Sequence, residues 1–199
     1  MKTDTQTKLI EIAIPLFALK GFAGVSVREI TDAAQINVSA ISYHFNGKEG
    51  LYQAVLEEQL TPLMQALYLA ENDDSLSPIK RLTFYADQIS QIHAQRPFLS
   101  RFMISEATTP TDYGGPIIEK YLSQVHQFMR NSLQEGITWG DFRPDLNITY
   151  AAVSLAGILN FYFITKPLLQ KLTPLTENSN KEYTAHAFRI YLHGIVNNS

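Results

Sequence analysis

The sequence predicts an all-α protein with a division inside its fourth helix, and two observations predict the class. Apolar residues recur at the 3.6-residue period of a helix, and no segment keeps the two-residue alternation of a strand. Helix punctuation recurs along the chain, with serine or asparagine at the starts and glycine or proline at the stops. Charge is uneven along the chain, and its bulk value says nothing for nucleic acid. Residues 1–50 carry five Lys/Arg and five Asp/Glu, so the whole net charge of −3 lies in residues 51–199.

Leu9, Ile12, Ala13, Leu16 and Phe17 fall on one stripe and mark the buried side of the first helix. Pro15 removes a backbone hydrogen bond inside it, which predicts a bend. Gly21 and Gly24 bracket its stop. Ser26 to Glu29 then reads as a capping box, in which the serine oxygen and the glutamate carboxylate each take a backbone N–H. The second helix runs to about Ala34 and buries Val27, Ile30 and Ala34. Asn37 offers the next N-cap, for a short helix over about 38–44 that Asn46-Gly47 ends. The fourth helix starts near Lys48 and runs past Leu67, with a natural division of the chain inside it.

Residues 71–78 form a loop from which Ser77-Pro78 opens another helix. Arg96-Pro97 breaks that helix, because a residue before proline avoids the helical region. Residues 109–116 make a longer break. A helix over about 116–138 ends at Gly140, and residues 140–145 turn the chain into an apolar helix. After a loop near 173–180, a last helix covers about 181–197.

The composition, 45% hydrophobic and 18% charged, is that of a soluble globular protein with enough chain to bury a core. There is no cysteine, which removes disulfides and thiolate metal sites and fits a reducing cytoplasm. "KLIEIAIPLFAL" imitates a secretory leader, but Glu11 interrupts the apolar run and Lys20 follows it, so a cytoplasmic helix is expected. The 17 residues 148–164 sit at the lower edge of a membrane span and include Thr149, Tyr150, Ser154 and Asn160. A buried bundle helix is the expectation there, with no membrane partner.

The second and third helices, joined at Gln35-Ile36-Asn37, make a helix-turn-helix whose last helix has a length that enters a DNA major groove. At about 100° per residue, Ile41 and Phe45 share a face suited to packing on the first two helices. Ser39 and Tyr43 point the other way, flanked by Val38 and Ser42. Hydroxyls and short side chains suit close approach to base edges and phosphates. Lys48 stands in the first turn of the fourth helix, where the dipole disfavours a cation and a phosphate rewards both the lysine and the free N–H groups. Plainer readings exist for some of these residues. A tyrosine or histidine at a helix end, seen alone, packs or caps, and Arg28 equally reads as a solvated residue paired with Asp32 at i,i+4.

"LFALKGFAGVSVREITDAAQINVSAISYHFNGKEGLY" (16–52) resembles the DNA-binding domain of the tetracycline-repressor (TetR) family of bacterial regulators. The similarity covers about residues 8–60. It is carried by Leu16-Phe17, Gly21-Phe22, Val27, Ile30, Tyr43-His44-Phe45, Lys48-Glu49 and Leu51-Tyr52. The resemblance implies a three-helix DNA-binding domain over residues 1–50, with the helix-turn-helix at 26–45. A helical-bundle domain for ligand binding and dimerisation would follow over 51–199. It implies that Arg28, Val38, Ser39 and Ser42 approach bases, and that Asn37, Ala40, Tyr43, His44 and Lys48 touch or abut phosphates. Ser39 stands where the family often has glycine and Ser42 where it often has tyrosine, so a relative's operator does not transfer to this chain.

In the larger part the rings and thioethers read first as core. The resemblance adds a small-molecule cavity and a homodimer through the last two helices. Candidate effector contacts are the polar Glu106, His126 and Asn160 with the apolar Phe102, Met129, Trp139, Tyr150 and Phe161. A pairing of Glu106 with Arg101 or Arg130 is the rival reading for that carboxylate. The expected function is a ligand-responsive repressor, released from double-stranded operator DNA by a small, largely apolar effector. No catalytic residue, cofactor or metal is expected. The five histidines (His44, His93, His126, His186, His193) have no metal-ligand spacing, and there is no nucleophile elbow. An enzyme using the helical cavity is one alternative, in which Glu106 and His126 form an acid–base pair only if folding brings them together. A sequence-neutral DNA-architectural protein is another, opposed by the net-neutral head.

Overall fold

The structure is a computed structural model of the chain and describes residues 4–197. Among the described residues it is helical throughout: α1 (Asp4–Lys20), α2 (Val27–Ala34), α3 (Ser39–Phe45), α4 (Lys48–Glu71), α5 (Pro78–Gln95), α6 (Leu99–Thr108), α7 (Gly115–Trp139), α8 (Ile148–Leu172) and α9 (Ser179–Ile195). The one β feature among them is an isolated antiparallel bridge between Phe142 and Val196. That bridge ends α9 at Ile195, short of the expected 197.

The chain divides into two compact units. The first takes the residues up to Thr61 together with Phe98–Lys120, and the second takes Pro62–Pro97 with the residues from Tyr121 on. One crossing falls inside α4, between Thr61 and Pro62. This division differs from domains of 1–50 and 51–199, because the first turns of α4 and all of α6 pack with the N-terminal helices. Tyr52, Val55 and Leu56 of α4 and Phe102 of α6 share one core with Leu9, Ile10, Ala13 and Phe17 of α1, Ile30 and Ala34 of α2, and Ile41 of α3.

Local chemistry sets the helix ends of the first unit. α1 runs through Pro15 to Lys20. Ser26 caps α2, its Oγ accepting from the Glu29 N–H at 3.1 Å. The Glu29 carboxylate, the other half of the expected capping box, pairs with the Lys20 ammonium at the end of α1, and Lys20 together with the Ser26 backbone N–H holds its pKa below the ordinary carboxylate range. α2 closes on Gln35 in the left-handed conformation (φ 55°, ψ 43°), with Gln35 N–H to Asp32 O at 3.1 Å and Ile36 N–H to Thr31 O at 3.0 Å. Asn37 performs the capping expected of it. Its Oδ1 accepts from Ser39 N–H at 2.9 Å, and Val38 already has helical dihedrals. Asn46 (φ 60°) ends α3, at the stop expected from Asn46-Gly47.

In the second unit, Ser77 caps α5 and Pro78 opens it. α9 packs against both α5 and α8. The core includes Leu82, Tyr85 and Ile89 of α5, Phe128, Met129 and Leu133 of α7, Leu155, Leu159 and Phe163 of α8, and Phe188 and Tyr191 of α9. Phe142 lies on the α7 backbone, where a Cβ at Gly136 would come 2.2 Å from its ring. Arg81 is buried and pairs with Glu135. α8 is long and apolar enough to cross a membrane by length and composition, and 33% of that stretch is buried within the fold. Its outer side exposes Tyr150, Val153, Phe161, Ile164, Leu168 and Leu172.

Candidate nucleic-acid interface

α3 is too short to hold itself together, and its burial fixes which side faces out. Ile41 is sealed into the first unit's core, and Ala40 and Phe45 pack against that core. The opposite side then presents Ser39, Ser42, Val38 at 53% exposure and Tyr43 at 84%. Asn37 and Arg28 are exposed as well, while Ala40, His44 and Lys48 are half-buried. Arg28 makes no ion pair with Asp32 among the described residues. His44 packs edge-on to Tyr43, ring centroids 4.8 Å apart, which restricts where the tyrosine ring lies.

The hydrogen bonds give this face a polarity. Asn37 Oδ1 accepts both the Ser39 N–H and the Ser39 Oγ–H, the latter at 2.8 Å. With its proton committed, Ser39 Oγ offers only lone pairs outward, while the Asn37 amide keeps its N–H donors. In the major groove the donors that a lone pair meets are the amino groups of adenine and cytosine, and phosphates accept from an amide.

Lys48 is more constrained than the sequence suggests. Its ammonium donates to Phe22 O at 3.0 Å and Val25 O at 2.9 Å and lies 4.2 Å from the centroid of the Phe22 ring. Two of its three N–H bonds are therefore committed within the chain, tying the start of α4 to the turn between α1 and α2.

The eight expected effector contacts are scattered. Phe102 and Glu106 belong to the first unit and the other six to the second. Glu106, 3% exposed, accepts from Tyr52 Oη at 2.6 Å, Thr111 N–H at 2.8 Å and Thr111 Oγ1 at 3.1 Å. Its hydrogen-bond partners are thus a phenol and a threonine, not Arg101 or Arg130. Trp139 is 57% exposed, Tyr150 71% and Phe161 64%, so these three rings line no enclosed space in the single chain. Met129 is buried, His126 half-buried, and Asn160 meets His93 of α5 with 3.3 Å between Oδ1 and Nε2.

His93 is a polar group that sequence reasoning passed over, since nothing in its own helix announces it. Its ring stacks on Phe163 at 4.0 Å. Burial pushes its pKa down to about 4, aided by nearby Lys166 and opposed by the Asn160 hydrogen bond. The imidazole is therefore neutral at physiological pH. Also in the second unit, a half-open groove of about 150 Å³ lies between α4 and α7, floored by Met64, Leu67 and Phe128 and edged by Tyr68, Glu71, Gln124 and Gln127. None of the eight expected residues lines it. Among the described residues no cluster of three or more His, Asp or Glu is placed to hold a metal ion.

The profile of the bacterial regulatory proteins of the tetR family matches residues 9–55, which span α1 to α3 and the start of α4. The chain is 35% identical over 138 residues to a probable HTH-type transcriptional regulator, YttP, of Bacillus subtilis, a match covering 68% of this chain and 66% of the relative. It is 31% identical over 146 residues to the HTH-type transcriptional repressor KstR2 of Mycolicibacterium smegmatis, covering 71% of this chain and 69% of the relative. The fold matches that of AibR, solved in complex with isovaleryl coenzyme A and operator DNA, with a TM-score of 0.75 at 16% identity over 94% of this chain and 97% of that one. By the matched profile and the relatives of 35% and 31% identity, the chain belongs to the TetR family of bacterial helix-turn-helix transcriptional regulators.

Proposed function

We propose that this regulator is a ligand-responsive repressor that binds a near-palindromic operator as a homodimer and leaves it when a small, largely apolar effector binds the helical second unit. The observation that carries the reading is the outward side of α3, where two serines, a valine and an 84% exposed tyrosine stand on a helix anchored by buried Ile41. Arg28, Val38, Ser39 and Ser42 read base edges in this account, and Asn37, Ala40, Tyr43 and His44 sit against phosphates. Lys48 adds its remaining N–H.

The apolar side of α8 supports the dimer. Val153, Phe161, Ile164, Leu168 and Leu172 lie exposed along one helix, and a second copy of the same face would remove them from water at about 25 cal/mol per Å². Two α3 helices in such a pair would sit about one DNA turn apart, ~34–36 Å. AibR, holding both isovaleryl coenzyme A and operator DNA, supports a fold that couples two ligands. A regulator of bacterial genes works where the DNA is, in the cytoplasm.

Selection of duplexes from a randomised pool by the full chain tests the reading. A repressor of this kind recovers an inverted repeat bound by two chains, with affinity falling steeply as salt rises. Recovery of unrelated sequences with equal affinity would remove it.

A further inference from the structure

The turn between α6 and α7 is built to one shape. Glu106, buried at the end of α6, takes the N–H and hydroxyl of Thr111, and Thr111 Oγ1 in turn accepts the Gly114 N–H at 2.9 Å. Gly114 lies so close that a Cβ there would come 2.5 Å from the Glu106 carboxyl carbon. The same carboxylate accepts from Tyr52 of α4. The held turn presents Tyr113, whose ring meets Phe22 with centroids 5.3 Å apart. Phe22 is also the residue that Lys48 covers, and Lys48 bonds Val25, the residue before the α2 cap Ser26. A line of contacts therefore runs from Glu106 through Thr111, the turn to Tyr113, Phe22 and Lys48 to Val25, the residue before the helix-turn-helix.

We infer that Tyr113 is a positioning residue for operator binding: the turn 111–114, fixed by Glu106, sets the place of Phe22 and Lys48 and through them the angle at which α2 and α3 meet DNA. The inference rests on the reading of α3 as the DNA face. Tyr113 itself touches no DNA in this scheme. Its contribution is its ring on Phe22, so phenylalanine serves in its place and alanine does not. Coupling is reciprocal, and operator binding must in turn steady the turn.

The test uses the full chain and the duplex that wild type recovers from a randomised pool. Tyr113→Ala is expected to weaken binding about fivefold per head, or ~1 kcal/mol, the size of an aromatic pair. The slope of log affinity against log salt should stay at the wild-type value, because no phosphate contact is lost. Tyr113→Phe should restore affinity. Gly114→Ala, which displaces the turn without removing the ring, should weaken binding in the same way and covers the case in which Tyr113→Ala does not fold. In wild type, amide exchange at Thr111 and Gly114 should slow when the duplex is added. The inference is overturned by alanine variants within twofold of wild type or by unchanged exchange at 111–114. It is equally overturned by a slope lower by about 0.9 per head, which would make Tyr113 a direct neighbour of phosphate. If wild type recovers no duplex, the reading of α3 fails first.

Discussion

Gln35 occupies the turn of the helix-turn-helix with φ 55° and ψ 43°, a region that side chains with a Cβ enter at a cost. For an L-residue that cost is about 1–2 kcal/mol, and glycine avoids it. Glycine also gains freedom in the unfolded chain, which takes back about 0.5–1 kcal/mol. The two hydrogen bonds of the turn come from backbone N–H groups, Gln35 to Asp32 and Ile36 to Thr31, and survive the exchange. Gln35→Gly should therefore stabilise the chain by about 0.5–1 kcal/mol, a rise in melting temperature of about 2 °C for a protein of this size. Gln35→Val should move it the other way, because a β-branched side chain tolerates this region least. Calorimetry and urea titration of the three proteins at neutral pH measure the effect. A glycine variant that melts at or below wild type would show that the Gln35 side chain repays its backbone, and the strain argument for this turn would be wrong.

Tyr52→Phe removes the phenol that donates to buried Glu106, and the carboxylate left short of a donor should cost about 1–3 kcal/mol in urea unfolding. His93, held at about 4 in the folded chain against about 6.5 unfolded, takes up its proton on unfolding. Its contribution is complete above about pH 6.5 and is lost as pH falls toward 4, at a slope approaching 1.4 kcal/mol per pH unit. Unfolding free energies of wild type and His93→Gln at pH 7 and pH 5 should show the smaller drop in the variant. Sedimentation of wild type should show the proposed dimer, and Phe161→Glu, which places a charge on the exposed side of α8, should sediment as monomer with helical content unchanged. A variant that stays dimeric would move the interface elsewhere.

What the sequence made legible was local. Ser26, Ser77 and Asn37 announce helix starts because a cap acts within three residues of itself. The outward side of α3 followed from Ile41 and from helix geometry, and the structure exposes the same residues. Contacts between distant residues were not legible. Tyr52 and Glu106 stand 54 residues apart, His93 and Asn160 67, and no periodicity encodes either pairing. Lys48 shows the same limit: its position suggests a free cation, whereas the fold sends its ammonium to carbonyls 26 and 23 residues earlier. The aromatic side chains of the second unit could not be sorted by sequence either. Core rings such as Phe128 and exposed ones such as Phe161 share a composition and differ only in which side of a helix finds a neighbour.

The central claim is that the outward side of α3 reads DNA, and the affinity of one variant tests it most directly. Ser39→Ala, Ser42→Ala and Tyr43→Ala combined remove hydroxyls and a ring that are exposed, so the fold and its melting temperature should stay as in wild type. For the duplex that wild type selects, the account predicts a loss of at least about 100-fold, three contacts of about 1 kcal/mol each. Binding as tight as wild type by a folded triple variant would contradict it.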